Sequence, residues 1–421
     1  MMRKNILANY CGTAVAVLSP LLALPFYVRV LGPAGWGMLS FAFTLVALLG
    51  LIEVGLGQRL TRDIALCTRE SPVRASSLLK GLERVYWAAA ATLALMLAVS
   101  GPVIATDWIR GDSRVALQMT WFASSLLLTQ LPSSVYRSAL LATDGHVELN
   151  VIASVVAAAK HLGGVVVLML VPTIEALCLW HFAWSALETL ARRHCAWSRM
   201  HHHGAGINWP MVRNVVKQGM SLSGAVLLAV FALQLDRLML SALVSIDRFG
   251  HYTIAYSVAN GVLQVMAPLL VALAPTFALQ SQDPKQLDRL TVSLASKTLV
   301  LVIVGFCLYL WLANSMLAYW LGSRALVSEI KPILDVLMVG SALNLFYQIG
   351  YQRWVALGHS KAIAVINLAG LLCTVSLTPF LVPIYGPVGA ASGWLAINFL
   401  GAVFGFGFAK QMPRAARIAG T

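Results

Sequence analysis

Twelve apolar runs, each of about 20 residues or more, constrain this chain more than any other feature. They cover 6–31, 34–57, 85–106, 115–142, 148–171, 173–191, 216–244, 250–277, 292–317, 330–356, 361–384 and 387–409. Each is long enough to cross about 30 Å of hydrocarbon as a helix. Barrel strands would alternate polar and apolar residues, and stretches such as 162–171 do not. Composition closes the soluble alternatives. Of 421 residues 59% are hydrophobic and 11% charged, too little polar surface to cover a water-soluble particle. Soluble enzymes, nucleic-acid modules and disordered scaffolds are therefore excluded. The expected fold is an all-α polytopic membrane protein with about 12 transmembrane helices and no sizeable soluble domain.

Basic residues orient the spans. An even number puts both termini on one side, and 22 of the 30 Lys and Arg lie in or next to segments of that side. Five lie opposite (Arg110, Arg114, Arg248, Arg324, Lys331), and Arg29, Lys160 and Arg237 lie within spans. The positive-inside rule then gives an N-in, C-in topology and explains much of the +14 net charge. The first span is too long for a signal-peptide core and lacks a small-x-small site before Arg29, so it reads as uncleaved. Trp36, Trp87, Trp108, Trp320, Trp354 and Trp394 fall near span ends, as an interfacial belt requires. The six cysteines are isolated and read as buried apolar thiols.

The two halves echo each other. Arg3-Lys4-Asn5-Ile6 opens the first span and Arg213-Asn214-Val215-Val216 the seventh; Arg29 and Arg237 come late in each, before turns holding Gly37 and Gly250. Gly145-His146 and Gly358-His359 follow spans four and ten. The expected division is a six-helix lobe at 1–191, a cytoplasmic linker at 192–215, a second six-helix lobe at 216–410 and a cytoplasmic tail at 411–421. Parallel repeats of this kind hold their site at a central cavity between pseudo-two-fold-related lobes.

Charges at bilayer depth mark candidate function, since each costs on the order of 2.5–3.5 kcal/mol on insertion scales. Lys160 is mid-span; it either lines a cavity or pairs with an acid such as Glu188. Arg29, Arg137 and Arg353 either face a cavity or snorkel to headgroups. Asp236 and Arg237 are adjacent and so point to different partners on other helices. His161 and His181 read as satisfied core histidines, and His201-His202-His203 as a solvated loop. Polar residues also recur at helical spacing: Tyr252, Tyr256, Asn260 and Gln264 in one span, Asn344, Tyr347, Gln348, Tyr351 and Gln352 in another. Two readings stand for these stripes, interhelical hydrogen bonding and contact with sugars. No phosphate-cradling G-x-x-x-x-G-K-[ST], H-E-x-x-H or G-x-S-x-G motif occurs. A transporter therefore outranks an enzyme, and no cofactor or metal is expected.

Four passages then point to one family. They are Leu24-Pro25-Phe26-Tyr27-Val28-Arg29-Val30-Leu31-Gly32-Pro33-Ala34-Gly35-Trp36-Gly37; Glu53-Val54-Gly55-Leu56-Gly57 with Thr61-Arg62-Asp63-Ile64-Ala65; Asp236-Arg237-Leu238-Met239 through Gly250-His251-Tyr252-Thr253-Ile254-Ala255-Tyr256; and Tyr385-Gly386-Pro387-Val388-Gly389-Ala390-Ala391-Ser392. The chain resembles the polysaccharide-export flippases, of O-antigen type, in the multidrug/oligosaccharidyl-lipid/polysaccharide exporter superfamily. That family usually has Asp at the position of Glu53, a change that keeps the charge.

The resemblance implies two lobes rocking about a central cavity in a bacterial cytoplasmic membrane. It implies an undecaprenyl-diphosphate-linked glycan as substrate (an O-antigen, capsule or exopolysaccharide repeat unit), with a polymerase and a chain-length regulator as partners, and no nucleic acid. A diphosphate cannot cross hydrocarbon uncompensated. Arg29, Lys160 and Arg237 would balance it, with Arg137 and Arg353 as an inner entry. Tyr252, Tyr256, Asn260, Gln264, Asn344, Tyr347, Gln348 and Tyr351 would meet glycan, and Glu53, Asp236 and Glu188 are the candidate ion-coupling acids. The alternatives are an ion-coupled drug antiporter of the same superfamily and a membrane glycosyltransferase or polymerase using the same carrier. A major-facilitator carrier is disfavoured, because 57–63 lacks that family's loop motif.

Overall fold

The computed structural model describes the backbone over 2–200 and 206–407, and the side chains over the same ranges apart from 2–13, 51–56, 58, 220–233, 265–272, 360 and 407. The histidine run 201–203 and the tail 411–421 lie outside the described residues, as does the side chain of Glu53.

Among the described residues the fold has twelve α-helices: α1 Met2–Glu70, α2 Pro72–Val103, α3 Ser113–Ala142, α4 His146–Ala158, α5 Gly164–Leu170, α6 Ile174–Ser198, α7 Trp209–Leu243, α8 Ile246–Gln280, α9 Pro284–Leu321, α10 Arg324–Ala356, α11 Ser360–Tyr385 and α12 Pro387–Gly407. α1 carries the first two expected spans, broken at Gly32, whose φ of 71° favours glycine. A π-helical turn, Ala159–Gly163, joins α4 and α5 into the fifth. Local chemistry sets the ends. Asp112, Thr173, Asn208, Asp283 and Ser323 cap their helices by accepting backbone N–H groups. Pro72 and Pro284 occupy first helical positions, and Gly322 closes α9 in the left-handed region.

Helices overrun the spans read from hydropathy. α9 has 38 residues, or about 57 Å at 1.5 Å per residue, against about 30 Å of hydrocarbon. Among the described residues six stretches meet a strict test of length and apolarity, including 72–108, 284–321 and 361–385. α3, α6 and α10 fall short, and their buried faces carry Ser, Thr, His or Arg.

α1 to α6 pack on one another around α3, and α7 to α12 around α10 and α12. α1 is the main element touching both groups, lying against α7 and α8. Two glycines let the backbones of the two groups meet. A Cβ on Gly37 would stand 2.5 Å from the Ile246 carbonyl oxygen, and one on Gly250 would collide with the Pro33 carbonyl. The turns expected to correspond between halves thus meet backbone to backbone. Trp108 adds a hydrogen bond to Ser241 (3.0 Å), and the Ile246 N–H one to the Arg110 carbonyl (3.2 Å). At the opposite end Leu60, Leu78, Leu82 and Leu140 pack around Val212 and Val215 from the start of α7.

Two sequence expectations change here. Trp36 and Trp354 are buried rather than interfacial, because each turns into the bundle from a span end. The five described cysteines are free, with Cys67 and Cys178 buried but Cys307 exposed, since it lies on the outward face of α9.

Candidate functional site: two polar cavities sharing a π turn

The π turn organises the polar interior. Widening the helix frees carbonyls, and neighbours take them: Trp180 Nε1 donates to Ala159 O (2.8 Å) and Tyr27 Oη to His161 O (2.8 Å). Two consecutive side chains then enter different cavities, Lys160 one and His161 the other.

The His161 cavity, about 240 Å³, lies between the helix groups. α1 lines it with Trp36, Ser40 and Phe43, α7 with Arg237, and α8 with Tyr256, Asn260 and Gln264. The Arg237 guanidinium stacks over the Tyr256 ring at 4.2 Å and donates to Gln234 Oε1. Asp236, one residue back, turns the other way and accepts from the fully buried Tyr252 hydroxyl at 2.5 Å. The α8 stripe therefore divides: Tyr256, Asn260 and Gln264 face the cavity, and Tyr252 is packed away.

The Lys160 cavity, about 330 Å³, lies inside the first helix group. Glu188 sits between Lys160 (2.9 Å) and Arg192, which also donates to Ser133 Oγ at 3.0 Å. Arg137 lines the same space, exposed to it, with no hydrogen-bond or carboxylate partner among the described residues. Among the described residues one carboxylate thus faces three cations.

The remaining candidates lie elsewhere. Arg29 reaches from α1 to the C-terminal carbonyls of α9, Leu321 at 3.1 Å and Trp320 at 3.0 Å. Arg353 pairs with Asp288 at 2.6 Å, its side chain 10% exposed. In the α10 stripe Asn344 donates to Asn398 of α12 (2.6 Å), and Tyr347 packs against Gly401, Tyr351 and Trp354. Those residues join α10 to α12; Gln348 is half-buried nearby.

Sequence reasoning missed Arg192, Ser133 and the histidine pair. His161 and His181 stand 5.3 Å apart between ring centroids, and His161 Nδ1 and His181 Nε2 have no hydrogen-bond partner among the described groups. They are not the satisfied core histidines expected. The missed signal is the α6 spacing His181, Ser185, Glu188, Thr189, Arg192, which places all five on one helix face.

Residues 2–280 match the family model described as polysaccharide biosynthesis protein. The chain belongs to that family. It is 24% identical over 411 residues, 93% of each chain, to a Shigella flexneri protein named as a candidate O-antigen transporter. Among solved structures it is similar to the lipid II flippase MurJ in an inward closed conformation, with a TM-score of 0.78 at 12% identity, covering 97% of this chain and 88% of that one. An inward-facing multidrug resistance transporter of the MATE family, in the MOP superfamily, gives 0.70 at 12% identity and 94% of each chain. At such identities the likeness shows the fold: an all-helical, two-lobe membrane architecture. For this family member the lobe junction is the cavity that holds His161, Arg237 and three of the four residues of the α8 stripe.

Proposed function

We propose that the chain is a flippase that moves an undecaprenyl-diphosphate-linked oligosaccharide from the cytoplasmic to the outer leaflet by alternating access. The observation that carries this reading is Arg237 at the lobe junction, a cation facing a cavity at bilayer depth beside the Tyr256, Asn260 and Gln264 face. An anionic headgroup needs such a counter-charge to leave water, and amide and ring faces suit sugar hydroxyls and ring planes. The name of the Shigella flexneri relative supports a lipid-carried glycan, as does that of MurJ.

In this reading the termini are cytoplasmic and the membrane is the bacterial inner membrane. Lys160, Arg137 and Arg192 supply a second anionic stop, where phosphate competes with Glu188 for its cations. At about 240 Å³ the junction cavity is smaller than the roughly 300–1,000 Å³ of ordinary ligand pockets, so the lobes part to admit cargo. Arg29, seated on α9 carbonyls at the Gly32 end, fastens the outer side. Glu53, Asp236 and Glu188 are the acids proposed to couple the cycle to an ion gradient, and a polymerase and chain-length regulator receive the product. A cationic drug would meet Arg237 unfavourably, which ranks the antiporter reading second.

Reconstitution tests it. In proteoliposomes the chain should expose a fluorescent undecaprenyl-diphosphate-linked sugar to an external lectin. Exposure no faster than in empty vesicles, with the protein correctly inserted, would refute the proposal.

A further inference from the structure

A second kind of cavity lies on the far side of α8. Between α8, α9 and α10 runs a groove of about 470 Å³, walled by Val262, Leu301, Gly305, Met316, Met338 and Leu345 among others, with almost no polar surface. It exists because α9 is docked only near its ends: no residue between Thr291 and Ala313 is buried. From Leu301 to Leu317 the groove follows α9 over sixteen helical steps, about 24 Å at 1.5 Å per residue. The polar groups at its edge are turned on one another. Tyr309 donates to Asp335 at 2.6 Å, and Lys331 meets the same carboxylate at 2.5 Å. Ser341 Oγ, on the wall, is buried without a hydrogen-bond partner among the described groups. Such a wall offers water no partners, so its occupant is hydrocarbon.

Which hydrocarbon follows from α8. The helix presents Tyr256, Asn260 and Gln264 to the junction cavity and Val258, Val262 and Leu263 to the groove. An amphiphile with its charged end at Arg237 has a dry channel one helix diameter away, about 10 Å. We propose that this groove is the seat of the polyisoprenyl chain of the transported lipid. The inference rests on the flippase reading and adds a binding site for the part of the substrate that carries no charge. Methionines at 316 and 338 suit a methyl-branched chain, because unbranched thioethers adapt to irregular surfaces.

The test uses the full chain in proteoliposomes and a C55 polyprenyl diphosphate N-acetylglucosamine with a diazirine in the chain. Photolysis should label peptides of α9 and α10 that line the groove. Unlabelled C55 polyprenyl diphosphate should compete, and excess phosphatidylglycerol should not. Gly305→Trp fills the groove without a clash at the backbone, since no atom lies within 4 Å of its Cβ position. It should cut labelling and C55 flipping about tenfold while leaving a C15 analogue unaffected. Leu299→Trp, on an exposed part of α9 outside the groove, should change neither. Equal competition by phosphatidylglycerol would make the groove an ordinary lipid contact and overturn the proposal. So would wild-type labelling confined to other helices in a protein that still flips the carrier, which leaves the flippase reading standing. A protein that neither flips nor labels overturns both.

Discussion

The two polar cavities handle the same problem, a cation at bilayer depth, in opposite ways. In the first lobe Lys160 is answered by a carboxylate, Glu188, which also holds Arg192. At the lobe junction Arg237 lies on an aromatic face and an amide. A close ion pair makes a cation affordable by cancelling its field, and it also withholds that cation from cargo. A ring face and an amide hold the guanidinium without cancelling its charge, and the residue lines the junction cavity. In the proposed cycle the junction receives the anionic headgroup, and the first-lobe cluster binds it only where phosphate displaces Glu188.

The largest test of this contrast removes Glu188. Glu188→Gln removes the carboxylate that Lys160 and Arg192 share, and should cost about 2–3 kcal/mol of stability, less than the loss of a fully buried pair because the cluster opens on a cavity. Thermal melting in detergent measures it. Converting Lys160, Glu188 and Arg192 together to Met should recover most of that loss. If the triple variant melts normally yet no longer flips, the cluster serves transport as well as folding. Unaltered flipping would restrict it to architecture.

Next comes Arg237→Glu, which should lower flipping about 100-fold, or roughly 2.7 kcal/mol, with membrane insertion retained. Activity within threefold of wild type would remove the junction cation from the mechanism and break the comparison. Gly250→Ala should weaken the backbone contact with Pro33 by about 1–3 kcal/mol, the usual cost of overpacking. Cysteine accessibility at the Gly32 end would rise if that contact holds the lobes together there. Smallest is Arg29→Gln, which loses charge-assisted hydrogen bonds to the α9 terminus. Because Arg29 is exposed, a few-fold shift toward the accessible state is expected, with no direct loss of substrate binding.

Helix content, helix number and several breaks were legible in the amino-acid pattern, because hydropathy and capping act locally. Gly32-Pro33, Asp112, Thr173 and Gly322 announce their turns in sequence. Site residues were legible only as a type. The stripes on α8 and α10 have the same period and composition, yet three residues of one line the junction cavity while Asn344 and Tyr347 of the other bind α12. Periodicity names a helix face; the neighbour opposite that face is a long-range fact. The same holds for Arg29 and Arg353, whose partners Leu321 and Asp288 stand 292 and 65 residues away.

Sequence by itself determined that this chain is a many-span helical membrane protein with several ions in its spans, since transfer of each segment between water and hydrocarbon depends on that segment alone. Tertiary structure alone decided which ions are cancelled and which face open space. Lys160 and His161, adjacent on the turn 159–163, reach separate cavities because different helices pack on its two sides, and the field at each ion is set by groups brought to it from other helices.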